Sequence, residues 1–554
     1  MLFCSAEYAL FFSAVFVAYW SMPSRAARFL LLALAGPYLG YETWKHVADV
    51  HASGWLAYAE ALGTSFAAAG ILYWVAGIVL VGTALAFRLG HDRGRVWMLL
   101  LASFFFYASW NKWLATLIFV TTGMDYVIAR GMHASASTLW RRLLLVVSLV
   151  VNLGLLAYFK YSNFFLQSLQ QSLQAAGVHT SMPVLQVILP IGISFYTFEA
   201  INYTVDVYRR RVVPERNLAN FILFITFFPH LVAGPIVRAR DFLPQIGRRK
   251  HWDWARLELG ARFFLMGLFK KWAIADRMAL YSDPVFADPR HFSSSACWLA
   301  VIAYALQIYG DFSGYSDMAL GSAHMLGYKL AQNFNMPYLA TNLSEFWHRW
   351  HMSLSTWLRD YLFIPLGGSR CSRWRTCLNL MITMTLGGLW HGANWTFVVW
   401  GAAHGGLLVV HRFFRDFCKP RPWLDKLLQG APGRVLCGAA TFLAVSLCWV
   451  LFRAQDVMIP NTHRVILTGW QVAAAMFHRL FVPHHGMGAP LHNRGLWYTV
   501  AVVVVCHALA YSGVWKRMAV RLPAPVLGFG YAVVLTLAMV LAPDAGKAFI
   551  YFQF

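Results

Sequence analysis

Hydrophobic residues run through this chain in blocks, and polar residues collect in short gaps between them. A helix that spans a bilayer needs about 20 mostly apolar residues. By that measure spans are predicted at 7–20, 27–42, 65–87, 96–110, 113–129 and 143–159, and again at 433–452, 497–513 and 525–542. A membrane barrel would show alternating polarity. LLVVSLVVNLGLLAYF (144–159) is apolar throughout and does not alternate. The pattern therefore predicts an all-α, polytopic integral membrane protein.

The middle of the chain is less regular. PIGISFYTFEAINYTVDVYRRR (190–211) carries Glu199, Asn202 and Asp206 on one helical face, and such a polar stripe faces protein or a cavity rather than lipid. FILFITFFPHLVAGPIVRARDF (221–242) contains Pro229, Gly234 and Pro235, which predicts a kinked or re-entrant segment covered by protein. Residues 248–277 are rich in Lys and Arg and read as an amphipathic or shallow helix at the cytoplasmic surface. Residues 304–328 return to membrane-depth sequence, with Asp311 and Asp317 inside it.

Composition supports this picture. The 554 residues are 59% hydrophobic and only 12% charged, about half the charged fraction of a soluble domain. The net charge is +23. Basic residues fall in loops assigned to the inside (Arg25 and Arg28; RLGHDRGR, 88–95; Arg130, Arg141 and Arg142), as the positive-inside rule requires. The first block has no basic residue before it and reads as an uncleaved span with its N-terminus outside. The same cations could also form a basic funnel for an anionic donor such as a coenzyme A thioester. Nucleic-acid binding is not expected, because the charges lie in short loops and not on one soluble face. The eight cysteines are scattered without a C-x-x-C, which gives no support for zinc or redox motifs, and a disulfide between Cys371 and Cys377 in a basic loop is not expected.

Chemistry concentrates in residues 341–405, where His348, His351, His391 and His404 interrupt apolar sequence. Ionisable groups at membrane depth are costly and mark functional sites. Asn342 followed by Glu345 is an N-cap signature, so a helix is predicted from about 343, with His348 and His351 on one face and Pro365, Gly367 and Gly368 ending it. Two histidines fill half of a tetrahedral metal site, and no metal is expected. His391 lies between two apolar runs among Gly387, Gly388 and Gly392, residues that permit a helix break or close backbone approach. One reading is a core histidine hydrogen-bonded between helices. The other is a general base, because acylating a hydroxyl requires a group that accepts its proton near neutrality. His351, Asp311 and Asn394 are candidates to steer that base or stabilise an oxyanion. Trp390 and Trp395 fit either an aromatic-lined substrate tunnel or plain packing.

Three stretches, GDFSGYSDMALG (310–321), EFWHRWHMSLSTWLRDYLFIPLGG (345–368) and GGLWHGANWTFVVWGAAHG (387–405), resemble the MBOAT superfamily of membrane-bound O-acyltransferases. YFKYSNFF (158–165), LPIGISFYTFEAINYTVDVYR (189–209) and FFPHLVAGPIVR (227–238) support the resemblance, which is closest to the bacterial branch that acetylates exported polysaccharides. It implies a helical ring with re-entrant or broken helices and a central tunnel. It places the catalytic histidine at His391 and the second family histidine at His351. His348 stands where arginine is expected, and no role is carried to it. The chain is read as one membrane-embedded domain, 1–554, with a core at 96–455, C-terminal spans in 456–554, and an insertion at 43–94 holding an extra transmembrane helix.

The resemblance implies a subunit of the bacterial inner membrane with no bound cofactor. Its expected donor is acetyl-CoA in the cytoplasm. Its expected partners are a periplasmic SGNH-type acetyltransferase and the synthesis and export machinery of an alginate- or cellulose-like polysaccharide. Peptidoglycan O-acetylation and teichoic-acid D-alanylation are alternatives within the superfamily. A transporter of acyl donors without chemistry of its own is the alternative of another class, since broken helices and midplane polar groups also mark transporters.

Overall fold

Most helices begin where the sequence supplies a side-chain cap. Asn111 Oδ1 accepts the N–H groups of Trp113 and Leu114 at 3.0 and 3.1 Å and starts Lys112–Ala134. Ser137, Asn217, Asn342, Ser372 and Asn394 start their helices in the same way. Thr468 and Gln471 form a reciprocal capping box before Gly469–Phe481. Such oxygens satisfy amide donors that the first helical turn leaves unpaired.

The computed structural model describes residues 3–53, 68–458, 465–514, 517, 521–543 and 549–550. Those residues are predominantly helical, with one short antiparallel ribbon, Val457–Met458 against Val465–Leu467. Among them, seven helices are long and apolar enough to cross a membrane.

The predicted spans correspond to Ala6–Ser21, Arg25–Ser53, Ala68–Leu89, His91–Ala108, Lys112–Ala134 and Thr138–Leu156, and later to Ala431–Arg453, Asn493–Tyr511 and Ala524–Leu541. Three features differ from expectation. The loop expected from residue 43 is helical to Ser53, because no Gly or Pro interrupts 41–53; residues 54–67 lie outside the described part. The basic stretch 88–95 is only a one-residue turn at Gly90 (φ +92°), and its charges belong to the flanking helices. Within 248–277, expected to hold a shallow surface helix, the helix is Trp254–Phe269 and a π-helical turn, Lys270–Asp276, follows it. Lys271 in that turn is buried and held by Asp276 at 2.8 Å and Asp311 at 2.7 Å. Paired carboxylates keep the ammonium charged where surface exposure was expected to do so.

The chain forms two compact units. The first contains Met1–Phe159, Val187–Phe264 and Met318–Ala331. An aromatic cluster of Tyr8, Phe11, Phe12, Phe106 and Phe228 fills its core. The proline-bearing segment runs as a short helix, Leu218–Thr226, a non-helical passage through Pro229 and Pro235, and a second short helix, Ala239–Ile246. The predicted polar stripe is buried: Asn202 donates to Val237 O at 3.0 Å, and Glu199 accepts the Val237 N–H at 2.9 Å.

The second unit contains Lys160–Gln186, Leu265–Asp317 and Gln332–Phe554. Its central element is a helical hairpin, Arg373–His391 against Trp395–Cys418. A Cβ on Gly388 would lie 2.3 Å from Phe397 O, and one on Gly401 would lie 2.3 Å from Met384 O. Only glycine at both positions lets the two backbones approach this closely.

Candidate active site

His391 is the last residue of the Arg373–His391 helix, and Gly392 leaves it in an extended conformation. The carbonyls at such an end have no partner within the helix. Here the Lys160 ammonium donates to Trp390 O at 2.7 Å and His391 O at 2.9 Å. The Tyr161 hydroxyl donates to Leu389 O at 2.9 Å. Both residues come from the π turn Ala157–Tyr161. A cation at a helix C-terminus also meets the negative end of the helix dipole. The backbone that carries His391 is therefore fixed at three successive carbonyls.

The imidazole of His391 is 4% exposed and lies among aromatic rings. Centroid distances are 4.9 Å to Trp390, 5.2 Å to Trp400 and 5.3 Å to Phe452. His351 is the second imidazole in this group, 6.4 Å from His391 and fully buried. Phe312 meets the His351 ring edge-on at 4.6 Å.

His351 reaches this position through a break in its helix. The single helix expected from 343 is two, Leu343–Arg349 and Met352–Leu358, followed by a π turn at Arg359–Phe363. His351 joins them in the left-handed region, φ 42° and ψ 54°. A β-carbon makes that conformation unfavourable by about 1–2 kcal/mol, and strain of this kind gathers at functional positions. The expectation that His348 and His351 share one helix face is therefore corrected. His348 is exposed, with Nδ1 2.6 Å from Ser344 O, and lines a separate cavity of about 300 Å³ with Trp347, Met352 and Met384.

The other candidates have separate surroundings. His404 is fully buried against Trp347 and Trp400 at 5.1 and 4.8 Å, and among the described residues neither ring nitrogen has a hydrogen-bond partner. Trp390 packs against both His351 and His391. Trp395 is 46% exposed and donates to Ser168 Oγ at 3.1 Å. Asn394 caps the next helix by accepting the Thr396 N–H at 3.0 Å. Asp311 binds Lys271 and accepts the Ile550 N–H at 2.6 Å. The structure thus brings together His351, Trp390 and His391. Among the described residues, no group of three or more His, Cys, Asp or Glu side chains is placed to hold a metal.

The profile of the MBOAT, membrane-bound O-acyltransferase family matches residues 214–452. The chain is 42% identical to the probable alginate O-acetylase AlgI of Azotobacter vinelandii, over 71% of this chain and 74% of that protein. It is 37% identical to the Pseudomonas putida protein of the same name, over 84% of this chain and 96% of the relative. It is 35% identical to the peptidoglycan O-acetyltransferase of Helicobacter pylori, over 66% of this chain and 71% of the relative. The chain belongs to the membrane-bound O-acyltransferase family. It is a multi-pass membrane O-acyltransferase, and its relatives include a probable alginate O-acetylase and a peptidoglycan O-acetyltransferase.

Two features of this O-acyltransferase lie outside the sequence expectations. YFKYSNFF supports the family resemblance, yet nothing in it assigns a role to Lys160. A lone lysine in an otherwise apolar span was the available signal, because such a charge is kept only where it has partners. The helix break at His351 carried no signal, since WHRWHMSL contains neither Gly nor Pro.

Proposed function

We propose that this O-acyltransferase takes an acetyl group from acetyl-CoA at the cytoplasmic face of the bacterial inner membrane. The group passes across the membrane to a periplasmic SGNH-type acetyltransferase, which esterifies an exported polysaccharide. His391 is the general base and His351 assists it.

The observation that carries this reading is a buried imidazole at a helix end fixed through its own carbonyls. In the transfer, His391 accepts the proton of the attacking hydroxyl as that oxygen bonds to the acetyl carbonyl carbon. The carbon–sulfur bond of the thioester breaks, and the departing thiolate takes the proton back from the imidazolium. A base held in place in this way contributes about 10²–10⁴ in rate. Trp390, Trp400 and Phe452 exclude water that would otherwise hydrolyse the thioester.

Polysaccharide is favoured as the final acceptor by the Pseudomonas putida relative, which is matched over nearly its whole length. The Helicobacter pylori relative supports a second reading, acetylation of peptidoglycan. Ester analysis of exopolysaccharide and of muropeptides from a deletion strain and its complemented parent distinguishes them. The proposal expects acetyl ester to vanish from exopolysaccharide and to persist on muropeptides. The opposite pattern moves the function to peptidoglycan, and unchanged ester on both refutes the assigned role.

A further inference from the structure

A basic pocket of about 580 Å³ opens in the first unit, and none of the residues assigned above to acyl transfer lines it. Arg248, Arg249, Lys250, Arg256 and Lys329 line it, against two acids, Asp241 and Asp253. Both acids have arginine neighbours: Asp253 lies 3.7 Å from Arg256, and Asp241 lies 3.7 Å from Arg240. Arg249 points toward Asp92 at 3.6 Å. Among the described residues, the side chains of Arg248 and Lys329 have no ion pair. An excess of cations therefore faces the space.

The pocket is held in shape by backbone contacts. Gln245 donates to Lys329 O at 3.0 Å and accepts the Lys329 N–H at 2.8 Å, which joins the 239–246 helix to the 327–329 turn. Arg256 donates to Gly327 O at 2.8 Å. The buried Arg95 donates to Lys250 O at 3.0 Å and Tyr19 O at 3.0 Å. Lys250 itself donates to Gln245 O at 2.6 Å and lies 4.2 Å above the Tyr328 ring. Burial, followed by the charges of Arg256, Arg248 and Arg95, pushes the Lys250 ammonium down to about 8. Like charges gathered on a fixed frame repel one another unless an anion sits among them. Trp252, which lines the pocket, and the neighbouring Trp254 are exposed and meet edge to face at 5.1 Å, as expected for side chains at headgroup level.

We propose that this pocket is a binding site for a phosphate-bearing anion. Arg248 and Lys329 reach its oxygens directly, and Arg256 and Lys250 supply the surrounding field. The guanidinium provides paired donors and the ammonium a point charge, the combination that phosphate groups engage well. An anionic phospholipid headgroup and a soluble nucleoside diphosphate both present this chemistry. The inference does not require His391 to be the general base.

The test uses full-length protein purified in neutral detergent, as wild type and as Arg248→Glu/Lys329→Glu. One arm measures binding of a fluorescent ADP analogue. The other counts phosphatidylglycerol retained from mixed phosphatidylglycerol–phosphatidylcholine micelles by native mass spectrometry. The double variant is expected to bind in at least one arm about tenfold more weakly or worse. Loss in the first arm identifies a soluble ligand, loss in the second a lipid headgroup, and loss in both a site open to either. Arg370→Glu, on the second unit, is the control and is expected to leave both arms unchanged. The proposal is overturned if the double variant matches wild type in both arms, if wild type binds neither probe, or if the control weakens binding equally. Should the double variant fail to fold, Arg248→Gln/Lys329→Gln is read by the same criteria.

Discussion

Two buried histidines in this molecule are held in different ways. His230 in the first unit faces a carboxylate, with Nδ1 3.3 Å from Glu199 Oε1. The same oxygen accepts the Val237 N–H, so the pair pins the passage that carries Pro229 and Pro235. His391 in the second unit is fixed through its backbone by Lys160, and its ring lies among Trp390, Trp400, Phe452 and His351. The first arrangement sets imidazole against a buried carboxylate, where a lost partner costs stability. The second secures the main chain by other groups, which suits an imidazole whose ring takes part in chemistry. Both histidines are almost inaccessible, so burial alone does not separate a structural role from a chemical one. The proposed roles rest instead on the partners of the ring and of the backbone.

Substitutions test that contrast, and the largest effect is expected at His391. His391→Ala and His391→Gln should lower acetyl transfer by about 10²–10⁴ while the unfolding temperature in detergent barely moves. A large fall in unfolding temperature would instead mark His391 as a packing residue like His230. Next comes Gly388→Val, whose side chain must enter space held by Phe397 O. It should cost about 1–3 kcal/mol or more in stability by separating the hairpin, read by thermal unfolding.

His230→Ala leaves the Glu199 carboxylate unpaired in the core and should cost about 1–3 kcal/mol. Activity per folded molecule should stay near wild type, and a selective loss of turnover would erase the distinction between the two histidines. Lys160→Met removes the cation from the helix end and should cost up to about 2 kcal/mol. If Lys160 positions His391, kcat falls while KM is kept, and Lys160→Arg restores part of the loss. Equal changes in both parameters would reduce Lys160 to a structural cap. The smallest effect is expected from Asn394→Ala, which removes one helix cap at about 1 kcal/mol and should leave turnover per folded molecule unchanged.

These residues also show which parts of the molecule could be read in the sequence. Asn342 announced its cap, because an amide oxygen ahead of an apolar run has one obvious use, whereas Asn394, read as a candidate to steer the base, caps the next helix. Gly388 and Gly401 lay within a family motif, and the structure supplies the close contact that explains them. Local pattern set the long spans for the same reason: lipid-facing helices are selected mainly on length and polarity. Lys160, Lys271 and His351 were hidden because distant partners determine them. Lys160 meets carbonyls some 230 positions away in the chain, at a separation of 230 and 231 residues. Lys271 reads as a surface charge in the sequence, and only the fold places Asp276 and Asp311 beside it. The left-handed backbone of His351 has no local mark, since no Gly or Pro stands beside it in WHRWHMSL.

The most direct measurement compares His391→Ala with His230→Ala in living cells. Acetyl ester on cell-surface polysaccharide is measured for each and divided by the amount of folded protein in the membrane. The account predicts near-complete loss of ester for His391→Ala and a near wild-type value per folded molecule for His230→Ala. Undiminished ester in cells carrying normally inserted His391→Ala protein would contradict it.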